Sequence, residues 1–235
     1  TAINGTAGDD VMNGTSADDI INALAGNDTI NGSAGADTID GGLDIDTVSY
    51  SASAAAVNVD LALTTAQSGG DAHGDILSNI ENVTGSSLND IIAGNSVANK
   101  IDGGSGIDRV SYANSSVAVS VNLGVTTAQS GGFAAGDTLF SIENITGSSF
   151  NDNITGSAVA NSIEGGAGVD TVSYANSTAA INVNLGVTTG QSGGYAAGDI
   201  LSGVESIIAS SNNDTLTGSS VANRIDGGAG TDRVS

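Results

Sequence analysis

Apolar and polar positions recur along this chain in a short, strict cycle. Asp10, Asp19, Asp28, Asp37 and Asp46 follow one another at intervals of nine residues. Two residues after each stands an apolar side chain: Met12, Ile21, Ile30, Ile39 and Val48. Gly5, Gly14, Gly32 and Gly41 each precede their aspartate by five positions. A single inward residue between polar neighbours predicts a very short strand, because successive strand residues face opposite sides. The glycine-rich residues before it predict a turn. One such unit cannot bury its own apolar side, so the units must stack.

A second period of 62 residues lies over the first. Asp46, Asp108, Asp170 and Asp232 each open an Asp-x-Val-Ser segment, and the first three run on into Tyr50, Tyr112 and Tyr174. The repeats divide as 23–84, 85–146 and 147–208, with a partial unit at 209–235 and two further nonapeptides in 1–22. Residues 1–48 are therefore a continuous nonapeptide run, and 49–84 is the first spacer. Units 85–146 and 147–208 each combine a nonapeptide triplet with a 35-residue spacer. In the spacer, the alternation of Val117 to Leu123 predicts a half-buried strand. Gly124–Gly132 reads as a loop, and Gly136–Ile145 as a second strand region. The chain stops at Ser235, in phase with Ser49, Ser111 and Ser173, so the natural protein is expected to continue.

Composition narrows the core. There are 35 Gly, no Pro, no Cys and no Trp, and aromatics make up 3%. Large aromatics dominate most globular cores; here Val, Ile, Leu and Ala must do so, which suits a thin stacked structure. The formal charge of −22 rests on 26 acidic residues against Lys100, Arg109, Arg224 and Arg233. Nucleic acid needs a basic footprint, which is missing, and anionic membranes are disfavoured for the same reason. No apolar run is long enough to span a bilayer. Without cysteines there is no disulfide framework, and a metal is the usual alternative staple.

Gly103-Gly-Ser-Gly-Ile-Asp-Arg-Val-Ser111 fits G-G-x-G-x-D-x-U-x, with U a large apolar residue, and Gly165–Ser173 and Gly227–Ser235 fit it too. The chain thus resembles the RTX (repeats-in-toxin) family of calcium-binding nonapeptide-repeat proteins. The resemblance implies an all-β fold, a right-handed parallel β-roll or β-solenoid with calcium-binding turns. It implies several calcium ions, held by Asp10, Asp19, Asp28, Asp37, Asp46, Asp90, Asp108, Asp152, Asp170, Asp214 and Asp232. Gly104, Gly106, Gly166, Gly168, Gly228 and Gly230 belong to the same metal sites, their turns offering carbonyl oxygens as ligands. The chemistry agrees: calcium takes six to eight oxygens from carboxylates and carbonyls. Aspartates stacked about 4.8 Å apart would repel without a cation, so folding and binding should be coupled. Asn99, Asn161 and Asn223 stand at the aspartate position, where they predict either weaker calcium turns or metal-free turns. Asp75, Asp137 and Asp199 read as turn residues and Glu81, Glu143 and Glu205 as solvated ones, with extra calcium sites as the alternative.

Catalytic chemistry finds no footing in the sequence. The one histidine, His73, is replaced by Ala135 and Ala197 in the other repeats and reads as a surface residue. No cysteine nucleophile exists, and one histidine makes neither a repeated triad nor a zinc site. The Thr pairs at 64–65, 126–127 and 188–189 are too sparse for an ice-binding face. The expectation is therefore a non-enzymatic, extracellular or cell-surface structural protein, secreted from a bacterium by type I secretion. It would be an adhesin stalk or fibre subunit that self-associates end to end into fibres or a surface layer. The alternative is a calcium-folding, secretion-assisting region of a larger secreted enzyme or toxin.

Overall fold

The computed structural model describes residues 1–235. Each nonapeptide folds as a turn followed by a three-residue strand, such as Val11–Asn13, Ile20–Asn22 and Thr29–Asn31. Only the central side chain is inward, and Ile21, Ile30, Ile39 and Val48 are completely buried. Every strand pair is parallel. Ile3 lies beside Ile21 and Ile21 beside Ile39, while Met12, Ile30 and Val48 form a second row. The two rows alternate along the chain, so two nonapeptides make one coil of a parallel β-roll. The structure contains no α-helix; three single-turn 3₁₀ segments, Gly70–Ala72, Gly132–Ala134 and Gly194–Ala196, sit in the spacers.

Two compact units can be described. The first comprises residues 1–111 with 136–142, and the second 112–135 with 143–235. In the first unit, one sheet holds Ala2–Asn4, Ile20–Asn22, Thr38–Asp40 and Ile76–Ser78 in that order. Its neighbour holds Val11–Asn13, Thr29–Asn31, Thr47–Ser49, Asn82–Thr84, Lys100–Asp102 and Thr138–Phe140. A third begins inside the spacer at Asn58–Asp60 and continues with Ile91–Ala93 and Arg109–Ser111. The spacer therefore ends one sheet and starts another. The second unit repeats the device: Ile200–Ser202 closes the row of Asn144–Thr146 and Ser162–Glu164, while Asn182–Asn184 opens the row of Thr215–Thr217 and Arg233–Val234.

The spacers keep the roll's register while adding residues. Across nonapeptides the layer-to-layer hydrogen bonds span 18 residues, as from Asp19 to Asp37. Through the first spacer they span 38, 35 or 33 residues. The added residues form an excursion closed by an antiparallel bridge, Asn58 to Ser68, with equivalents at Ser120–Ser130 and Asn182–Ser192. Gln67 pins it from inside: its Oε1 accepts the Asp60 N–H at 2.7 Å and its Nε2 donates to the Asp60 carbonyl at 3.1 Å.

The spacer expectations hold in part. The strand expected over 117–123 is Ser120–Asn122, with Val119 and Val121 buried and Val117 half exposed. The single strand region expected over 136–145 is two strands, Thr138–Phe140 and Asn144–Thr146, separated by Ser141 at φ 52°. The chain reverses there because a left-handed residue cannot continue a strand.

The ladder of central residues carries the core, so truncation there is costly. Ile154→Ala empties a site that is 1% exposed and should cost about 2–5 kcal/mol in denaturant unfolding with calcium saturating. An unchanged midpoint would mean that this row is not the packed core.

Candidate functional site

The aspartates occupy the last position of each turn, directly before the strand. Each uses one carboxylate oxygen to hold the preceding layer. Asp28 Oδ1 accepts the Asp10 N–H at 2.7 Å, Asp46 Oδ1 that of Asp28 at 2.8 Å, and Asp37 Oδ1 that of Asp19 at 2.9 Å. Asp108, Asp170 and Asp232 do the same for Asp90, Asp152 and Asp214. A second ladder runs the other way from the residue before the aspartate. Asn27 Oδ1 accepts from Ile45, Asn89 from Ile107, Asn151 from Val169 and Asn213 from Thr231. Neighbouring layers are thus clamped in both directions by side chains acting on backbone N–H groups.

The second carboxylate oxygen divides the turns into two kinds. Where Thr or Ser holds the second turn position, its N–H donates to the aspartate's Oδ2. Thr6 does so to Asp10 and Thr15 to Asp19, both at 2.6 Å, and Ser86 does so to Asp90 at 2.6 Å. Ser148 and Ser210 close onto Asp152 and Asp214 in the same way. These turns satisfy their own Oδ2 oxygens; Asp19 Oδ1 has no hydrogen-bond partner and pairs with the N-terminal ammonium at 2.6 Å. The asparagine turns are closed as well: Asn99 Oδ1 accepts from Asn95 N–H at 2.9 Å while its Nδ2 donates to the Glu81 carbonyl at 2.8 Å. Asn161 repeats both bonds, with Ser157 and Glu143.

The other kind has a left-handed residue at the second position, at the fourth, or at both. Gly104, Gly166 and Gly228 have φ 95°, 104° and 76°, and Gly106, Gly168 and Gly230 have φ 133°, 127° and 118°. The turn at 23–28 substitutes Leu24 at φ 83°, and the turn at 41–46 has Asp44 at φ 79°. Glycine is needed here twice over. A Cβ on Gly106 would meet the Leu88 carbonyl of the layer before, and one on Gly168 would meet that of Phe150. In these turns the second N–H no longer reaches the aspartate. Asp28 Oδ2, Asp46 Oδ2 and Asp170 Oδ2 are buried without a hydrogen-bond partner. Asp37 is intermediate, with only Ser33 Oγ at 3.4 Å.

A buried, unpartnered carboxylate oxygen is costly, and here the cost is visible. Burial raises the pKa of Asp46, with Asp28, Glu81 and Asp44 adding like charge. Burial likewise pushes Asp170 up to about 6, helped by Asp152 and Glu205. A hard dication fits this donor set of lone carboxylate oxygens and turn carbonyls. No three histidine, cysteine or acidic side chains converge anywhere, so a bound ion would have to draw on main-chain oxygens, as calcium does.

The spacer residues differ from expectation. Asp75, Asp137 and Asp199 are completely buried rather than solvated turn residues. Asp75 takes the next place in the aspartate column, accepting the Asp37 N–H at 2.8 Å, while Tyr50 donates its hydroxyl to Asp75 Oδ2 at 2.8 Å. Tyr174 and Asn161 hold Asp199 in the same way. Desolvation raises Asp75 and Asp199 to about 6 and lifts both tyrosines above their ordinary value. Glu81 and Glu205 are half-buried and engaged, accepting the Asp46 and Asp170 N–H groups at 2.9 and 3.0 Å. The signal for these pairs was the Tyr followed 25 residues later by Gly-Asp in every repeat. His73 is exposed beside the first 3₁₀ turn.

The family model for RTX calcium-binding nonapeptide repeats, in four copies, matches residues 2–23, 13–48, 81–113, 146–176 and 199–235. No curated protein matches the chain.

The raised carboxylates set a pH dependence. Their folded pKa near 6 exceeds the unfolded 3.8, so the folded state binds protons more tightly. Their stabilisation is full below the unfolded value and is lost as pH rises through about 6. In chelator, lowering the pH from 7 to about 5 should therefore increase the β-sheet signal in circular dichroism. Loss of signal over that interval would contradict the assignment of these groups.

Proposed function

This chain belongs to the RTX calcium-binding nonapeptide-repeat family, and from that premise we propose that it is a secreted, non-enzymatic structural protein whose roll is completed by calcium at the glycine turns. The observation that carries this reading is the set of buried, unpartnered oxygens on Asp28, Asp46 and Asp170. The family membership makes the chain a calcium-binding repeat protein with a parallel roll. It leaves open which turns take the ion and what the roll is for.

The ion would be held at the turns 23–28, 41–46, 103–108, 165–170 and 227–232, with the turn 32–37 as a weaker member. Bound there, calcium neutralises the turn's carboxylate and ties adjacent layers together. The turns closed by Thr6, Thr15, Ser86, Ser148 and Ser210 need no ion, since their aspartates already accept two or more hydrogen bonds. Their part is to present the carbonyls and N–H groups on which the glycine turns other than 41–46 pack.

Extracellular modules bind calcium with a Kd of about 10⁻⁴–10⁻³ M, so a roll of this kind stays open inside a cell and closes outside. Secretion and a surface role follow as the fitting context. No helix is long and apolar enough to cross a membrane. The repetition of one arrangement without an interrupting cluster favours a fibre or surface-layer role over catalysis. The ends of a roll are unpaired strand edges, which invite end-to-end association.

Calcium titration from chelator, followed by far-ultraviolet circular dichroism with magnesium as control, should give a calcium-specific gain of β structure. A spectrum indifferent to calcium would remove this proposal. Electron microscopy of the calcium form should then show ordered assemblies, whereas monomers at every concentration would leave the calcium step standing and refute the fibre. The division of turns is tested by single variants. Asp170→Asn should remove at least one bound calcium, while Asp152→Asn should keep the full number; equal losses from both would show that the two kinds of turn do not differ.

A further inference from the structure

We propose a further cation site where each roll segment meets its spacer, formed by Asp46 with Asn79 and Glu81 and again by Asp170 with Gly203 and Glu205. It rests on the calcium reading of the glycine turns but uses ligands that no nonapeptide supplies. At Asp46 the following layer is not another nonapeptide. The chain arrives instead from the spacer, 35 residues on, and the same separation recurs at Asp170.

Three observations converge on the junction. Asp46 and Asp170 are 0% and 1% exposed, and the Oδ2 of each has no hydrogen-bond partner. Asn79 and Gly203 are left-handed, with φ 52° and 57°, and this turns their carbonyls back onto the roll. A Cβ placed on Gly41 would strike both the Asn79 carbonyl oxygen and Asp46 Oδ2; one on Gly165 would strike the Gly203 carbonyl oxygen and Asp170 Oδ2. The missing side chain therefore leaves a carbonyl and an unpartnered carboxylate oxygen facing the same small space. Glu81 and Glu205 bring a second carboxylate to it, each fixed through one oxygen on the aspartate's own N–H.

The donors are all hard oxygens, two of them anionic, in an irregular arrangement drawn partly from the backbone. That set suits calcium better than magnesium, which demands near-ideal octahedral geometry. The spacer would then be locked to the roll by the metal, so that segments outside the nonapeptides also respond to calcium.

The test uses the whole chain and calcium alone. Bound calcium is counted by equilibrium dialysis for the wild type, Glu81→Gln, Glu205→Gln and the double variant. Glutamine keeps an oxygen to accept the aspartate N–H, so the roll is retained while the charge is lost. Each single variant should lose one ion, or bind it at least tenfold more weakly, and the double variant two. An unchanged number and affinity in the double variant would overturn the junction site and leave the glycine turns untouched. A wild type that binds no calcium would overturn both. Carbodiimide labelling of the wild type reads the same site without substitution. Calcium should protect Glu81 and Glu205 while the exposed Glu164 stays reactive, and equal labelling of all three with and without calcium would refute the site.

Discussion

Carboxylates stacked one above another at the spacing of adjacent strands are the constraint on which the rest of this structure depends. At that spacing like charges repel, and burial sharpens the repulsion by lowering the local dielectric. The chain answers first with hydrogen bonds. Asp28, Asp37 and Asp46 each give one oxygen to the backbone N–H of the layer before, and Asn27 and Asn89 return the favour to the layer after. A carboxylate accepting N–H groups is stabilised in its charged form. The ladder therefore turns part of the problem into cohesion, and only the second oxygen remains to be dealt with.

The residues at the second and fourth turn positions decide how that oxygen is handled. With Ser or Thr at the second turn position and no left-handed residue at the fourth, the turn closes on its own aspartate, as Ser86 does on Asp90. With a left-handed residue there the N–H is directed elsewhere, and Asp28, Asp46 and Asp170 keep a buried oxygen unmatched. The same nine-residue frame thus yields a turn that closes on its own carboxylate or one that leaves a buried oxygen unmatched. Most glycine turns lie on a hydroxyl-capped turn, while 41–46 lies on the left-handed turn 23–28. The glycines of 103–108 pack against the carbonyls of Ser86 and Leu88, and those of 165–170 against Ser148 and Phe150, where a side chain would collide. The hydroxyl-capped turns provide that close backbone surface here, and for Gly42 the Leu24 carbonyl of another left-handed turn provides it.

The nonapeptides were legible in the sequence because each residue's task is local. Strand, inward side chain and turn are all set within nine positions, so Met12, Ile21 and Ile30 could be placed in the core directly. The spacers were not, because their partners are distant. Tyr50 is a repeat marker until its hydroxyl is seen on Asp75, and Glu81 looks solvated until it is seen on the Asp46 N–H. The turn aspartates were legible as a class, but not their division. The second position is read as a small polar or glycine residue in either case, and only the backbone angle shows where its N–H points. Asn99 illustrates the gain from structure: both ends of its amide are occupied, its Oδ1 by the Asn95 N–H and its Nδ2 by the Glu81 carbonyl.

The spacers also limit how far the charge can accumulate. In a roll built only of nonapeptides every layer would add an aspartate to each column without end. In the first unit the column through Asp19, Asp37 and Asp75 stops with the sheet that ends at Ile76–Ser78. The new sheet opens on Val57, an apolar residue at the aspartate's place, whose N–H is taken by Asp90. Val119 and Ile181 open their rows in the second unit likewise, with N–H groups taken by Asp152 and Asp214. In the column that does continue, Asp10, Asp28, Asp46 and Glu81 are followed by the neutral Asn99. Interruption by an apolar start or a neutral amide bounds each run of like charge. A chain with 26 acidic and 4 basic residues can then be long without making its own folded state untenable. The 62-residue period is, in this sense, an electrostatic length as much as a structural one.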